Sequence, residues 1–160
     1  MTQPYRIEKL GGAPHSKQSL RLWLRLLSCS MTIEKRVRAR FAEEFDTTLP
    51  RFDVLAALDR NPNGLNMSEL SDWLLVSKGN VTAIVERLIS DGLAQRLPQE
   101  GDRRIIRVLL TAKGKADFAG MARQHEAWLD HAMRGLTDED FEILLASLQR
   151  LRLSIEENPI

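Results

Sequence analysis

The chain is poor in most of the residues that would announce a chemistry. It has a single cysteine, Cys29, among 160 residues, which excludes an internal disulfide and suits a reducing compartment. It has no run of eighteen apolar residues, so no membrane span and no membrane partner are expected. The opening MTQPYRIEKLGG lacks the apolar core of a signal peptide, and a cytoplasmic location is expected. Aromatic content is only 6%. Of the three histidines, His125 and His131 lie six apart, so they do not share a helical face as an i, i+4 ligand pair would, and His15 stands apart from both; no metal site is expected. There is no phosphate loop, no paired catalytic carboxylates and no nucleophile elbow, so neither an enzyme nor a cofactor is expected. Net charge is +1, too small to point to nucleic acid by itself.

What is present is a pattern of helices. Hydrophobic content is 43% and charged content 28%, ordinary for a globular chain with a core. Residues 1–15 contain Pro4, Gly11, Gly12 and Pro14 and read as a loose arm. Ser16 then caps a helix to about Phe45, with Leu20, Trp23, Leu24, Leu27, Met31, Ile33, Val37 and Phe41 in a wide apolar stripe. Thr47 or Thr48 caps a second helix, with Pro50 in its first turn. Asn66 and Glu69 make a capping-box start for a short helix, Met67 to about Leu74, and LVS then breaks the pattern. From Ser77 a further helix places Val81, Ile84, Val85, Leu88 and Ile89 on one face and stops at Asp91-Gly92. Two short strands, about Leu93–Leu97 and Ile105–Leu110, are joined by PQEGDRR. A helix from Thr111 or Ala112 to about Arg134 ends at Gly135, and Thr137 starts the last. The fold expected is mainly α with a small β-hairpin: a winged helix-turn-helix flanked by N- and C-terminal helices.

The helix after Ser77 leaves Ser77, Lys78, Asn80 and Thr82 opposite its apolar face, with Arg87 further along. A helix entering the major groove needs short polar side chains at its leading turns. Asn can pair with adenine, Lys with guanine, and Thr can touch a thymine methyl. A plain amphipathic surface helix would carry the same types; the short helix before and the hairpin after favour DNA. The hairpin tip then finds a use for Arg103 and Arg104. A wing beside a recognition helix reaches the flanking minor groove, whose negative potential draws guanidinium groups. Asp102 is expected to hold one of these arginines in a bidentate pair and stiffen the tip.

The motif DRRxxxVxLTxxG, here Asp102, Arg103, Arg104, Val108, Leu110, Thr111 and Gly114, follows VSKGNVTAIVERLISDGL at residues 76–93. Together they closely resemble the MarR family of bacterial winged-helix regulators, over about residues 16–155. The resemblance implies a homodimer with interlocking terminal helices, bound to palindromic double-stranded operator DNA, usually as a repressor released by a small ligand. It puts Ser77, Lys78, Asn80 and Thr82 on the recognition helix and Arg103 and Arg104 on the wing. One departure is visible: Ile105 and Ile106 stand where the family's wings often carry small polar residues. The implied organisation is an arm at 1–15, a dimerisation and effector helix at 16–47, the DNA-binding domain at 48–111 and dimerisation helices at 112–160.

Composition supports pairing on its own terms. Trp23, Leu27, Phe118, Met121, Trp128, Leu129, Phe141, Leu148 and Leu151 are more apolar surface than so small a body can cover, and two-fold pairing would bury it. The charge distribution adds a second expectation. Residues 16–45 hold seven Lys/Arg against three acids, away from the DNA-reading helix. Lys17, Arg21 and Arg25 line one face, and Lys35, Arg36, Arg38 and Arg40 cluster toward the far end. A solubilising surface would look similar. The sharper reading is an anionic effector held by these cations, with Trp23, Met31 and Phe52 as an apolar slot. The segments RLWLRLLSCSMTIEKRVRARF and TTLPRFDVLAAL resemble family members controlling aromatic-compound breakdown, which implies an aromatic carboxylate or aromatic acyl-CoA thioester. Two alternatives are a redox-responsive repressor using Cys29, otherwise read as a small buried hydrophobe, and a helical interaction module that binds no DNA.

Overall fold

The structure, a computed structural model, describes residues 14–74 and 77–159, and for residues 14–16 and 78 the backbone alone. Residues 1–13 of the arm expected at 1–15, and Leu75 and Val76 of the LVS break, therefore lie outside the described residues, whereas Pro14 and His15 already belong to the first helix and Ser16 lies within it rather than capping it. The elements are α1 (Pro14–Phe45), α2 (Leu49–Arg60), α3 (Met67–Leu74), α4 (Lys78–Ser90), β1 (Ala94–Gln99), β2 (Asp102–Leu110), α5 (Ala112–Met133) and α6 (Asp138–Glu157). The mainly α fold with one antiparallel hairpin is as the sequence implies. No described helix is long and apolar enough to cross a membrane.

The chain forms two compact units, Met1–Arg123 and Gln124–Ile160, with α5 beginning in the first and ending in the second. The core of the first unit is built by the apolar faces read from periodicity. Phe41 of α1, Val54, Leu55 and Leu58 of α2, Leu70 of α3, Val81, Val85 and Leu88 of α4 and Val108 of β2 are all but inaccessible to water. Each such side chain contributes roughly 1.5–3 kcal/mol by leaving water. Phe52 stacks between Phe41 and Phe118, with ring centroids 4.7 and 5.4 Å away. Phe52 is thus a core residue rather than the wall of an open slot. Of the residues counted above as needing a partner, Met121 is buried within the chain itself and Phe118 is half-buried against Phe52.

Local capping sets the boundaries. The Asn66 Oδ1 accepts from the backbone N–H of Ser68 and Glu69, while Glu69 Oε2 accepts from Asn66 N at 2.8 Å. Thr137 and Asp140 make the same reciprocal box at the start of α6, and the two hydrogen bonds from Thr137 hold the Asp140 carboxyl below its usual range. The junction from β2 into α5 is tighter. Thr111 Oγ1 donates to the Gly92 carbonyl at 2.6 Å and accepts from Gly114 N at 3.0 Å, and Thr111 N donates to the Leu93 carbonyl. These bonds press the first turn of α5 onto the Gly92–Leu93 segment. A Cβ at position 114 would lie 1.9 Å from the Leu93 oxygen, which explains physically why glycine stands there.

Candidate nucleic-acid interface

Short α3 and longer α4 form the helix-turn-helix. Val81, Val85 and Leu88 anchor α4 in the core, so the opposite face is turned outward. Ser77 occupies the N-cap position with extended backbone. Ser77, Gly79, Asn80, Thr82, Ala83 and Arg87 are exposed. The leading turns thus present small or polar groups, and Gly79 leaves open space around its Cα. The side chain of Lys78 lies outside the described residues. The far end of α4 is fixed from two sides. Arg51 of α2 hydrogen-bonds to Asp91 and keeps that carboxyl below its usual range, and Lys113 Nζ donates to the Asp91 carbonyl at 3.0 Å.

The hairpin is longer than the sequence suggests. Strand β2 begins at Asp102, not Ile105, and the loop shrinks to Glu100-Gly101, with Gly101 at φ +88°. Pairing is regular from Ala94↔Leu110 to Pro98↔Ile106 and then jumps to Gln99↔Asp102. Arg103, Arg104 and Ile105 therefore fall in a bulge on β2. A bulge bends the strand and re-aims its side chains, and Pro98, lacking an N–H, marks where regular pairing stops. The Arg104 side chain is 92% exposed, and Arg103 is exposed as well. Asp102 holds Arg104 through a single oxygen, not bidentately: Oδ1 accepts from the backbone N at 3.1 Å and from Nε at 3.2 Å. Backbone and guanidinium are steadied together by that one oxygen.

Two residues that hold the wing were missed by sequence reasoning. Arg96 of β1 donates to Glu86 of α4 at 2.6 Å, a bond that pulls the Glu86 carboxyl below its usual range. Arg107 of β2 donates to the Gly64 carbonyl at 2.6 Å and to Gln99 Oε1 at 2.9 Å, and lies 3.4 Å from Glu69 Oε2. It thereby ties the hairpin to the loop before α3 and to the α3 capping box. Leu65 bridges Val108 in the same region, where Gly64, at φ +78°, leaves room for Leu109. A groove of about 700 Å³ lies on this side, lined by Arg60, Gly64, Leu65, Leu97, Arg107 and Leu109 among others.

A sequence model described as MarR family matches residues 45–105, the helix-turn-helix and wing. The crystal structure of a MarR family transcriptional regulator from Silicibacter pomeroyi superposes with a TM-score of 0.77 at 29% identity, covering 90% of this chain and 99% of that one. The helix-turn-helix and wing, residues 45–105, belong to the MarR family. It is similar to the uncharacterized HTH-type transcriptional regulator YybA of Bacillus subtilis, 28% identical over 116 residues, 72% of this chain and 77% of that protein. It is also similar to the transcriptional activatory protein BadR of Rhodopseudomonas palustris, 34% identical over 97 residues, 59% of this chain and 55% of BadR. With a MarR-family helix-turn-helix and wing, the chain is therefore a DNA-binding transcriptional regulator, and its relatives are regulators rather than enzymes.

The residues expected at an effector site are more scattered. Arg38 donates to Glu34 at 2.9 Å and Arg40 to Glu44 at 3.2 Å, so both are partnered along their own helix. Lys17, Arg21, Arg25 and Arg36 lie along α1 with Arg21, Arg25 and Arg36 exposed. Trp23 and Met31 are 58% and 60% exposed, apart from Phe52 in the core. Cys29 is exposed in the chain rather than buried. Among the described residues no three His, Cys, Asp or Glu gather as a metal site.

Proposed function

We propose that the protein acts as a homodimeric repressor that binds a palindromic operator and releases it on binding a small anionic aromatic ligand. Residues 48–111 serve as the DNA-reading domain, residues 16–47 and 112–160 as dimerisation helices, and residues 1–15 as an arm. Ser77, Lys78, Asn80, Thr82 and Arg87 read the major groove, and Arg103 and Arg104 enter the flanking minor groove. The observation that carries this reading is the exposed polar leading face of α4 beside an arginine that is 92% exposed on the wing. Both features suit a polyanion with readable edges.

Dimerisation is supported by the apolar residues that each unit leaves open. On α1 these are Leu20, Leu22, Trp23, Leu27 and Met31; on α6 they include Ile143, Leu144, Leu145 and Leu148. No residue of α6 is buried, although it carries Phe141, Leu144, Leu145, Leu148 and Leu151 at helical spacing. Exposed apolar residues in such number on one helix mark a protein interface. Two-fold pairing would set the recognition helices about 34 Å apart, one turn of duplex. A clamp of that span excludes other proteins from the DNA it covers, hence repression. The relative BadR carries the name of an activatory protein, so a reporter driven by the operator, with and without the gene, decides the sign.

The effector reading rests on the cations of α1 beside exposed Trp23 and Met31. A coenzyme A thioester brings phosphates for Lys and Arg and a ring for the apolar surface. The ligand need only prefer the dimer geometry that misplaces the helices for DNA. Benzoyl-CoA, free CoA and benzoate titrated into an operator complex test this; release by the thioester is expected, and no release by any of the three contradicts it. Arg103→Ala should weaken operator binding by roughly 1–3 kcal/mol and lower the salt slope by about one. Full-strength binding with an unchanged slope would remove the wing assignment.

A further inference from the structure

The wing carries apolar surface that its own fold does not use. Ile106 is 41% exposed, and its cross-strand partner Pro98 is exposed as well. Their direction follows from the register. Alternate residues of a strand share a face, so the Pro98↔Ile106 pair lies on the same face as Arg96↔Val108. That face is turned to α4, because Arg96 bonds to Glu86 of α4 and Val108 is buried. The opposite face carries Leu97, Arg107 and Leu109 and closes over the groove beside the α2–α3 loop. Hence Ile106 continues the recognition-helix side of the hairpin outward, directly beside the arginine-bearing bulge, while Pro98, its cross-strand partner, also borders the groove on the other side.

We propose that Ile106, supported by Pro98, is an apolar DNA contact: it packs against the deoxyribose edges of the minor groove entered by Arg103 and Arg104. The inference rests on the wing reading above and adds to it a contact that is not electrostatic. The occupant is duplex DNA because Ile106 stands next to a bulge that carries two exposed cations, Arg103 and Arg104. Sugar edges are the apolar part of a groove wall, and aliphatic side chains are an established part of minor-groove contacts, where some wedge between base steps. An aliphatic contact also differs from an arginine in a measurable way: it releases no counterion and leaves no mark on the salt dependence.

The test is a set of fluorescence-anisotropy titrations on an operator duplex selected from random DNA by the full-length protein, at several salt concentrations. The proteins compared are wild type, Ile106→Val, Ile106→Thr and Arg104→Ala. Valine and threonine are nearly the same shape and both favour strands, so they perturb the hairpin alike and differ mainly in a methyl exchanged for a hydroxyl. The expected result is a loss of roughly tenfold or more in affinity for Ile106→Thr and no more than about fourfold for Ile106→Val, both with the wild-type salt slope. Equal effects of the two substitutions overturn the contact, since a residue that merely shapes the wing would respond to volume. A reduced slope in Ile106→Thr overturns it too, because Ile106 would then act by aiming the arginines. Arg104→Ala separates this claim from the one beneath it. If that protein keeps wild-type affinity and slope, the wing is not a DNA element and both readings fall; if Arg104→Ala weakens binding and Ile106→Thr does not, only the apolar contact falls.

Discussion

Gly114→Ala offers the sharpest check on the junction that carries the wing into α5. The added Cβ would lie 1.9 Å from the Leu93 carbonyl oxygen, 2.9 Å from its carbon and 3.2 Å from its Cα. All three atoms are backbone, and the oxygen already accepts from Thr111 N at 3.0 Å, so no rotamer change relieves the clash. Helix and strand would have to part by more than about 1 Å in a region packed at crystal density. Overpacking of this kind costs about 1–3 kcal/mol, and a rigid backbone obstacle places it at the upper end. Alanine returns roughly 1 kcal/mol of helix propensity, leaving a net loss of about 2 kcal/mol. For a chain of this size that lowers the melting temperature by roughly 4–8 °C. Gly120→Ala is the control. Its Cβ meets nothing within 4 Å, so the propensity gain stands alone and the melt should rise slightly. Differential scanning calorimetry of the three proteins at one concentration reads both shifts. A Gly114→Ala protein that melts at or above wild type would refute the close approach of α5 to Leu93.

Other expectations follow from the same contacts. Arg107→Met keeps the apolar stem but loses the bonds to Gly64 and Gln99; urea melts should show a loss of about 1–3 kcal/mol, whereas an unchanged midpoint would mean that the wing is held elsewhere. Thr137→Ala removes one half of the α6 capping box and should cost about 1 kcal/mol, seen as faster amide exchange in the first turn of α6. Because the Asp140 carboxyl is held below its unfolded value, its stabilising contribution is full above the ordinary carboxylate range. It is lost as pH falls through the lower folded value. The exchange difference between Thr137→Ala and wild type should therefore shrink under strong acid.

The sequence made the helices legible because their signals are local. Val81, Val85 and Leu88 repeat at helical spacing, and the boxes Asn66/Glu69 and Thr137/Asp140 stand three residues apart. Thr111 and Gly114 appeared only as letters in a motif; their reason, a helix turn pressed on Leu93, needed the fold. The hairpin was misjudged because Asp102, Arg103 and Arg104 look like loop residues, while a two-residue turn and a bulge let them sit on a strand. Arg107 was passed over as a strand cation because Gly64 is 43 residues away along the chain. The pairing of Arg38 with Glu34 was readable at i, i+4. Phe52 was offered to a ligand because its ring neighbour Phe118 lies far off in sequence.

The central claim is a paired protein that sets two recognition helices and two wings against one side of a duplex. Hydroxyl-radical footprinting on a selected operator tests it most directly. The account predicts two symmetry-related protected patches centred about 10 base pairs apart, each extending into a flanking minor groove. A single protected patch, or even cleavage along the whole fragment at saturating protein, would contradict it.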